Sequence, residues 1–133
     1  MVPKALRFWF VFHFVADIVF AAPLLIAPEL FLGMFGWPAV DPMTARLVGA
    51  ALVGIGVESL LGRDAPLESF RTMLRLKILW SGTATLGILV TMLQGGPAMG
   101  WLFFAIFASF NGIWTYWFLR LRAISQAAPA LTA

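Results

Sequence analysis

The sequence has no cysteine, a single histidine and a single tyrosine among its 133 residues, and only 11% of the residues are charged. Without cysteine there are no disulfides, no thiolate metal ligands and no thiol nucleophile. The low charge excludes disorder, because disordered chains are rich in charge and poor in aromatic side chains. A soluble domain is excluded too, because a 62% apolar composition is more than one small core can bury. We therefore expect an integral membrane protein.

Four apolar stretches are each about 20 residues long, the length that crosses a bilayer core about 30 Å thick. They cover approximately residues 6–27, 43–61, 71–93 and 97–119. Asp41 and Pro42 predict a capped helix start for the second stretch, and Gly95-Gly96-Pro97 predicts a break before the fourth. The predicted fold is all-α: one domain over residues 1–133 that forms a four-transmembrane-helix bundle.

The basic residues predict the orientation of these spans. Arg46 alone is placed at the outer end, so both termini are expected in the cytoplasm, as in a bacterial inner-membrane protein. The expected partner is the lipid bilayer, and no nucleic acid is expected despite the net charge of +3. A cleaved signal peptide is disfavoured because His13 and Asp17 interrupt its apolar segment. The other eight basic residues are assigned to the cytoplasmic side: Lys4, Arg7, Arg63, Arg71, Arg75, Lys77, Arg120 and Arg122.

Five polar residues within the spans are candidates for a polar cluster. Asp17 lies near the middle of the first span, with His13 one turn earlier on the same helical face. Arg46 and Glu58 belong to a stripe that repeats every four residues on the second span, and Asn111 lies in the fourth. Buried ionisable residues in membranes commonly mark sites or pathways. The sequence therefore predicts a cluster in the cytoplasmic half of the bundle.

A purely structural interpretation of these residues stays open. Asp17 and His13 then form a pair that fixes helix register, and Asn111 is an interhelical hydrogen-bonding residue. In the same interpretation Glu58 pairs with a basic residue near the cytoplasmic interface, the choices being Arg71, Arg75 and Lys77.

No metal or cofactor is expected. His13 and Asp17 supply two ligands on one helical face, which is a poor metal set. A haem held by two histidines needs a dimer, and Trp9, four positions before His13, disfavours chlorophyll. Retinal is disfavoured because the predicted spans place no lysine in mid-membrane.

Small residues on the second span predict close helix packing. Ala45 and Gly49, like Ala50 and Gly54, are spaced so that another helix can approach closely. Two interpretations of these small residues stay open: they allow the helices of one bundle to pack closely, or they allow association with another chain. The apolar segment 29–38 predicts a short interfacial helix or a re-entrant turn.

Two stretches, APELFLGMFGW at residues 27–37 and ARLVGAALVGIG at residues 45–56, carry a resemblance to a family. The chain resembles small bacterial four-helix membrane proteins of the DoxX-like kind. The resemblance covers about the first half of the chain and implies a four-helix bundle with both ends in the cytoplasm. It carries over no catalytic residue.

The leading functional hypothesis is a non-enzymatic membrane protein that works by helix association, as a homo-oligomer or as an accessory subunit of a larger complex. A second hypothesis is an oligomeric proton- or cation-coupled carrier or channel that uses Asp17 and His13. A third is a membrane enzyme or binder for an apolar, lipid-like ligand, with the polar cluster as its site.

Overall fold

The computed structural model describes residues 1–127, which contain helices and no strands. Four helices are long and apolar enough to cross a membrane, as the sequence predicted. The elements are α1 (Lys4–Ile26), α2 (Pro28–Met34), α3 (Pro42–Leu61), a 3₁₀ turn (Gly62–Asp64), α4 (Leu67–Leu93) and α5 (Gly100–Ala127).

The last two spans begin at different residues from those predicted. Helix α4 begins at Leu67 rather than at residue 71, because the charged turn continues the helix: Arg71 and Glu68 form an ion pair of 2.9 Å along its surface. Helix α5 begins at Gly100 rather than at residue 97. The Gly100 N–H donates to the Pro97 carbonyl oxygen at 2.7 Å, a turn that precedes the helix.

The bundle consists of two helix hairpins. Helix α1 packs closely against α3, and α4 packs closely against α5, whereas the backbones of the two pairs approach each other at few points. The start of α1 and the end of α5 lie on one side of the bundle, here called the N-terminal side. The opposite side, called the α2 side, carries α2, the connection from α2 to α3 that contains Asp41, and the connection from α4 to α5 that contains Pro97. Large side chains, rather than backbone contact, join the hairpins.

Glycine sets the close approach of α3 to α1. A Cβ atom on Gly56 would lie 2.8 Å from Asp17 Cβ, and one on Gly49 would lie 3.0 Å from Leu25 Cγ. Ala45 is also buried on this face, but Ala50 and Gly54 are exposed. Of the four predicted packing residues, Ala45 and Gly49 thus pack within the bundle, while Ala50 and Gly54 point away from it.

An aromatic core closes the N-terminal side between the two hairpins. Phe10 of α1, Phe70 of α4 and Trp114 of α5 are fully buried. The Phe10 ring centroid lies 4.6 Å from that of Phe70 and 5.9 Å from that of Trp114. In a membrane such side chains stabilise the bundle through van der Waals packing and aromatic contacts, because lipid removes the hydrophobic driving force between helices. Further members of this core are Val2, Leu6, Met73, Leu74, Trp117 and Leu121.

On the α2 side, helix α3 begins with a turn that Asp41 caps, as predicted. The Asp41 carboxylate accepts hydrogen bonds from the Met43 N–H at 3.3 Å and the Thr44 N–H at 3.0 Å, and from the Thr44 hydroxyl. The hydrogen bonds from Thr44 hold the pKa of Asp41 below its ordinary value. The apolar segment before it forms the short helix α2, on which Leu30 and Met34 are exposed.

Candidate functional site

A buried polar cluster lies at the centre of the four long helices. His13 and Asp17 come from α1, Ser59 from α3, and Lys77 and Ser81 from α4, and each is at least 94% buried. Half-buried Asn111 of α5 completes the cluster. Buried polar groups require partners, because an unsatisfied one costs free energy comparable to a lost hydrogen bond or more. The partners of each member therefore show which hydrogen-bond donors and acceptors of the cluster are still unused.

The ammonium of Lys77 is surrounded on all sides by protein. Its Nζ donates to Ser59 Oγ at 2.6 Å and lies 3.0 Å from His13 Nδ1. It also lies 5.1 Å from the centroid of the Phe10 ring and 5.0 Å from that of Trp114, within the range of cation–π attraction. The lysine is thus held in place by a hydroxyl, an imidazole and two aromatic faces.

His13 stands between a cation and an anion. Its Nδ1 lies 3.0 Å from Lys77 Nζ and 2.9 Å from Asp17 Oδ2. The two charged groups are therefore within about 6 Å of each other, a range over which opposite charges stabilise one another. A single ring nitrogen carries either a proton or a lone pair, so it can hydrogen-bond with only one of them at a time. The geometry favours acceptance from Lys77.

The Asp17 carboxylate is consequently left with spare acceptor capacity. Its Oδ2 is buried and accepts no hydrogen bond from residues 1–127. The 2.9 Å separation from His13 Nδ1 meets the distance for an ion pair but not the geometry of a hydrogen bond. A hydrogen bond weakens steeply when it is misaligned, so this contact is an electrostatic one only. Asp17 is the one cluster member with an unsatisfied buried oxygen.

The hydrogen-bond donors of Ser81 and Asn111 all have partners within the protein. Ser81 Oγ donates to the Lys77 carbonyl oxygen at 2.7 Å and accepts from Asn111 Nδ2 at 3.0 Å. Asn111 Nδ2 also donates to the Ile78 carbonyl oxygen at 2.9 Å. These bonds tie α5 to α4, and they use the hydroxyl proton of Ser81 and both amide protons of Asn111.

The structure places the five predicted polar residues in different surroundings. His13 and Asp17 are in contact, and Asn111 joins them through Ser81. Arg46 is exposed on the α2 side, where its Nε donates to the Leu25 carbonyl oxygen at 3.1 Å.

Glu58 is exposed and also lies outside the cluster. The grouping of Arg46 and Glu58 with the others is therefore corrected. The physical reason is the face of α3: Gly49 and Gly56 face α1, so the stripe from residue 46 to residue 58 turns outward.

Three members of the cluster, Ser59, Lys77 and Ser81, were not predicted as site residues from the sequence. Lys77 was counted among the topology signals, but α4 begins at Leu67, so Lys77 lies about 15 Å inside the helix at 1.5 Å per residue. The statement that no lysine lies in mid-span is therefore wrong. The predicted pairing of Glu58 is also not formed, since Arg71 pairs with Glu68 and Lys77 binds Ser59. The available signal for a buried lysine was its apolar neighbours, Leu76 before it and Ile78 after it.

A cavity of about 870 Å³ separates the two hairpins on the α2 side of the cluster. This volume is within the range of small-molecule sites. His13, Asp17 and Ser81 line its inner end, and Asp41, Thr44 and Thr91 line its outer part. The walls between them are mainly apolar, and they include Phe20, Leu24, Leu52, Trp80, Ala84, Ile88, Phe103, Phe107 and Phe110.

The cavity opens laterally between α3 and α4. Thr44 and Val48 of α3 line it and are exposed, and so are Thr83 and Gly87 of α4. A Cβ atom on Gly87 would meet no neighbour within 4 Å, so no side chain covers the helix at this point. Because both helices are candidate membrane spans, the opening faces the region where lipid chains would lie.

Comparison with protein-family models, with curated proteins and with solved structures finds no match for this chain. The resemblance to DoxX-like proteins therefore stays a prediction. Within residues 1–127, no three His, Cys, Asp or Glu side chains converge in a way that could hold a metal ion.

Proposed function

We propose that this protein binds an apolar, lipid-like molecule within the membrane, with the tail of the ligand in the cavity and its polar end at the buried polar cluster. One observation carries the proposal: an apolar cavity of about 870 Å³ ends on His13, Asp17 and Ser81. Ligand sites characteristically combine apolar walls with a few convergent polar groups. The lateral opening between α3 and α4 supports entry from the bilayer.

The proposed setting is the bacterial cytoplasmic membrane, with both termini on the cytoplasmic side. Apart from buried Lys77, the basic residues other than Arg46 belong to the N-terminal side of the bundle. The positive-inside rule supports the assignment of that side to the cytoplasm.

The carrier or channel hypothesis receives less support from the same geometry. The cavity ends at the cluster, and beyond it Phe10, Phe70 and Trp114 are completely buried. A conducting path would have to cross this aromatic core. A closed inner end favours a binding site over a path through the membrane.

The test is native mass spectrometry of the protein extracted in mild detergent from its own membranes. We expect a bound small molecule on the wild-type chain. Ala84 lines the cavity, so Ala84→Trp should fill part of it and remove the bound mass. Ala105 is exposed on α5 and outside the cavity lining, so Ala105→Trp is the matched control and should retain it. A wild-type chain without bound mass, or equal occupancy in both variants, contradicts the proposal.

Association with another membrane chain is a second candidate, favoured by the exposed face of α3. Ala50 and Gly54 lie on this face, and a Cβ atom on Gly54 would meet nothing within 4 Å. Small residues of this kind permit close helix contact. Ala50→Leu with Gly54→Leu should reduce the particle size in mild detergent, whereas Gly112→Leu on the exposed face of α5 should not. An unchanged size for the double variant would eliminate this candidate.

A further inference from the structure

Asp17 differs from the other members of the cluster in what it can still bind. The donors of Ser59, Ser81 and Asn111 are all committed to partners within the protein. Lys77 is committed to Ser59 and lies against His13. The Asp17 carboxylate lines the inner end of the cavity and accepts no hydrogen bond from residues 1–127; its Oδ2 is enclosed by protein, so Oδ1 is the oxygen that a ligand can reach. Because His13 accepts from Lys77 at Nδ1, its proton lies on Nε2, so one donor remains at this end of the cavity and Asp17 supplies the spare acceptor capacity.

We propose that the ligand carries a hydrogen-bond-donating head group, a hydroxyl or a primary amine on a long apolar chain, which binds the Asp17 carboxylate. This inference rests on the proposed function and names the class of ligand. A carboxylate accepts about four hydrogen bonds, so it has room for such a head in addition to its contact with His13. Hydrogen bonds to charged groups are also stronger than those between neutral groups.

The surroundings of Asp17 disfavour the other common lipid heads. A carboxylate or phosphate head would bring a second negative charge against Asp17 in a setting of low dielectric constant. Lys77 does not offset this, because its single positive charge is already balanced by the Asp17 carboxylate. A quaternary ammonium head matches the charge of Asp17 but has no N–H or O–H to donate. Head groups can therefore be ranked by one property, the ability to donate a hydrogen bond.

The carboxylate is also closely packed on two sides. Gly56 of α3 stands directly behind it, and a Cβ atom there would lie 3.1 Å from Asp17 Oδ2. The next turn of α1 presents His13, whose ring packs edge-on against Phe110 and Trp114 at 4.8 and 5.0 Å between centroids. A fixed acceptor at the end of an apolar cavity selects among heads that share the same tail.

The experiment compares four probes with the same tail: tetradecanol, tetradecylamine, tetradecanoic acid and tetradecyltrimethylammonium. The tail is long enough to cover the distance from Asp17 to the end of α1, about 14 Å at 1.5 Å per residue. Binding to the wild-type protein in lipid nanodiscs is measured near pH 9, where the amine still donates N–H groups and the acid is anionic although the bilayer raises its pKa. Binding that persists in Ala84→Trp measures partition into lipid and is subtracted.

We expect tetradecanol and tetradecylamine to bind at least tenfold more tightly than the acid and the quaternary ammonium. Asp17→Asn should remove this preference. Glu58→Gln is the matched control, because Glu58 is an exposed carboxylate of α3 that does not line the cavity, and it should leave the preference unchanged. The wild-type ranking needs no variant, so the proposal stays testable if Asp17→Asn does not fold.

Two results overturn the inference. The first is acid or quaternary ammonium binding as tight as that of the alcohol, and the second is a preference that persists in Asp17→Asn. If all four probes bind alike and Ala84→Trp abolishes binding, the head-group inference is wrong and the proposed function stands. If no probe binds beyond the level of Ala84→Trp, the proposed function itself is wrong.

Discussion

Removal of the Lys77 ammonium should strongly destabilise the protein. Lys77 is 97% buried and, through His13, compensates the Asp17 carboxylate. The substitution Lys77→Met keeps a long unbranched side chain but leaves the carboxylate uncompensated. Removing one partner of a buried ion pair typically costs about 3–5 kcal/mol. Ser59 keeps its own bond to the Ile55 carbonyl oxygen, so it adds little to this loss.

The assay is the free energy of unfolding in mixed detergent micelles. Lys4→Met is the matched control, because Lys4 is exposed and is the other lysine of the sequence. It should change stability by less than about 0.5 kcal/mol.

The double variant Lys77→Met with Asp17→Asn should recover much of the loss, since it removes both charges together. Equal stability of Lys77→Met and Lys4→Met would refute the reasoning. A double variant that is no more stable than Lys77→Met alone would refute it as well.

Two further predictions concern α3. Gly56→Ala should destabilise by about 1–3 kcal/mol because its Cβ would lie 2.8 Å from Asp17 Cβ, whereas Gly54→Ala, with open space at the same helix, should cost nothing. Equal melting temperatures in detergent would contradict this. Because the Asp41 pKa is lowered in the fold, the contribution of its carboxylate to stability is present above the unfolded pKa of about 3.8 and is lost as pH falls through the lower folded value. In Asp41→Asn the free energy of unfolding should therefore depend less on pH in the acid range. An unchanged pH dependence would contradict the role of the Asp41 carboxylate as the cap of α3.

The membrane class and the four spans could be predicted because their determinants are local. Apolar stretches of bilayer length, the Asp41-Pro42 cap and the glycine-proline break are all visible in short windows of sequence. The helix bounds were less accurate at Leu67 and Gly100. A window of hydropathy does not register the Glu68–Arg71 pair that extends α4, or the turn at Pro97 that delays α5.

The polar cluster was only partly predictable. The contact of His13 with Asp17 follows from their spacing of four on one helix. Lys77 was missed because a buried lysine and a topology signal are the same residue type in a sequence. Glu58 was misplaced because the face that α3 turns to α1 is decided by tertiary contacts, above all the close approach at Gly56.

The cavity could not be predicted at all from this sequence. It depends on the separation of two hairpins, which is set by how the large side chains of the N-terminal core hold them apart. No periodicity along one helix carries that information, because the walls come from α1 to α5 together.

The most direct test of ligand binding in the cavity is photolabelling with a tetradecanol that carries a diazirine on its chain. Leu52 of α3 and Ile88 of α4 line the cavity, whereas Val19 and Leu79 are exposed on the outer surface of the bundle. We predict that excess unlabelled tetradecanol suppresses labelling of Leu52 and Ile88 but not of Val19 and Leu79. Labelling that is equal at all four residues and insensitive to competition would contradict the account.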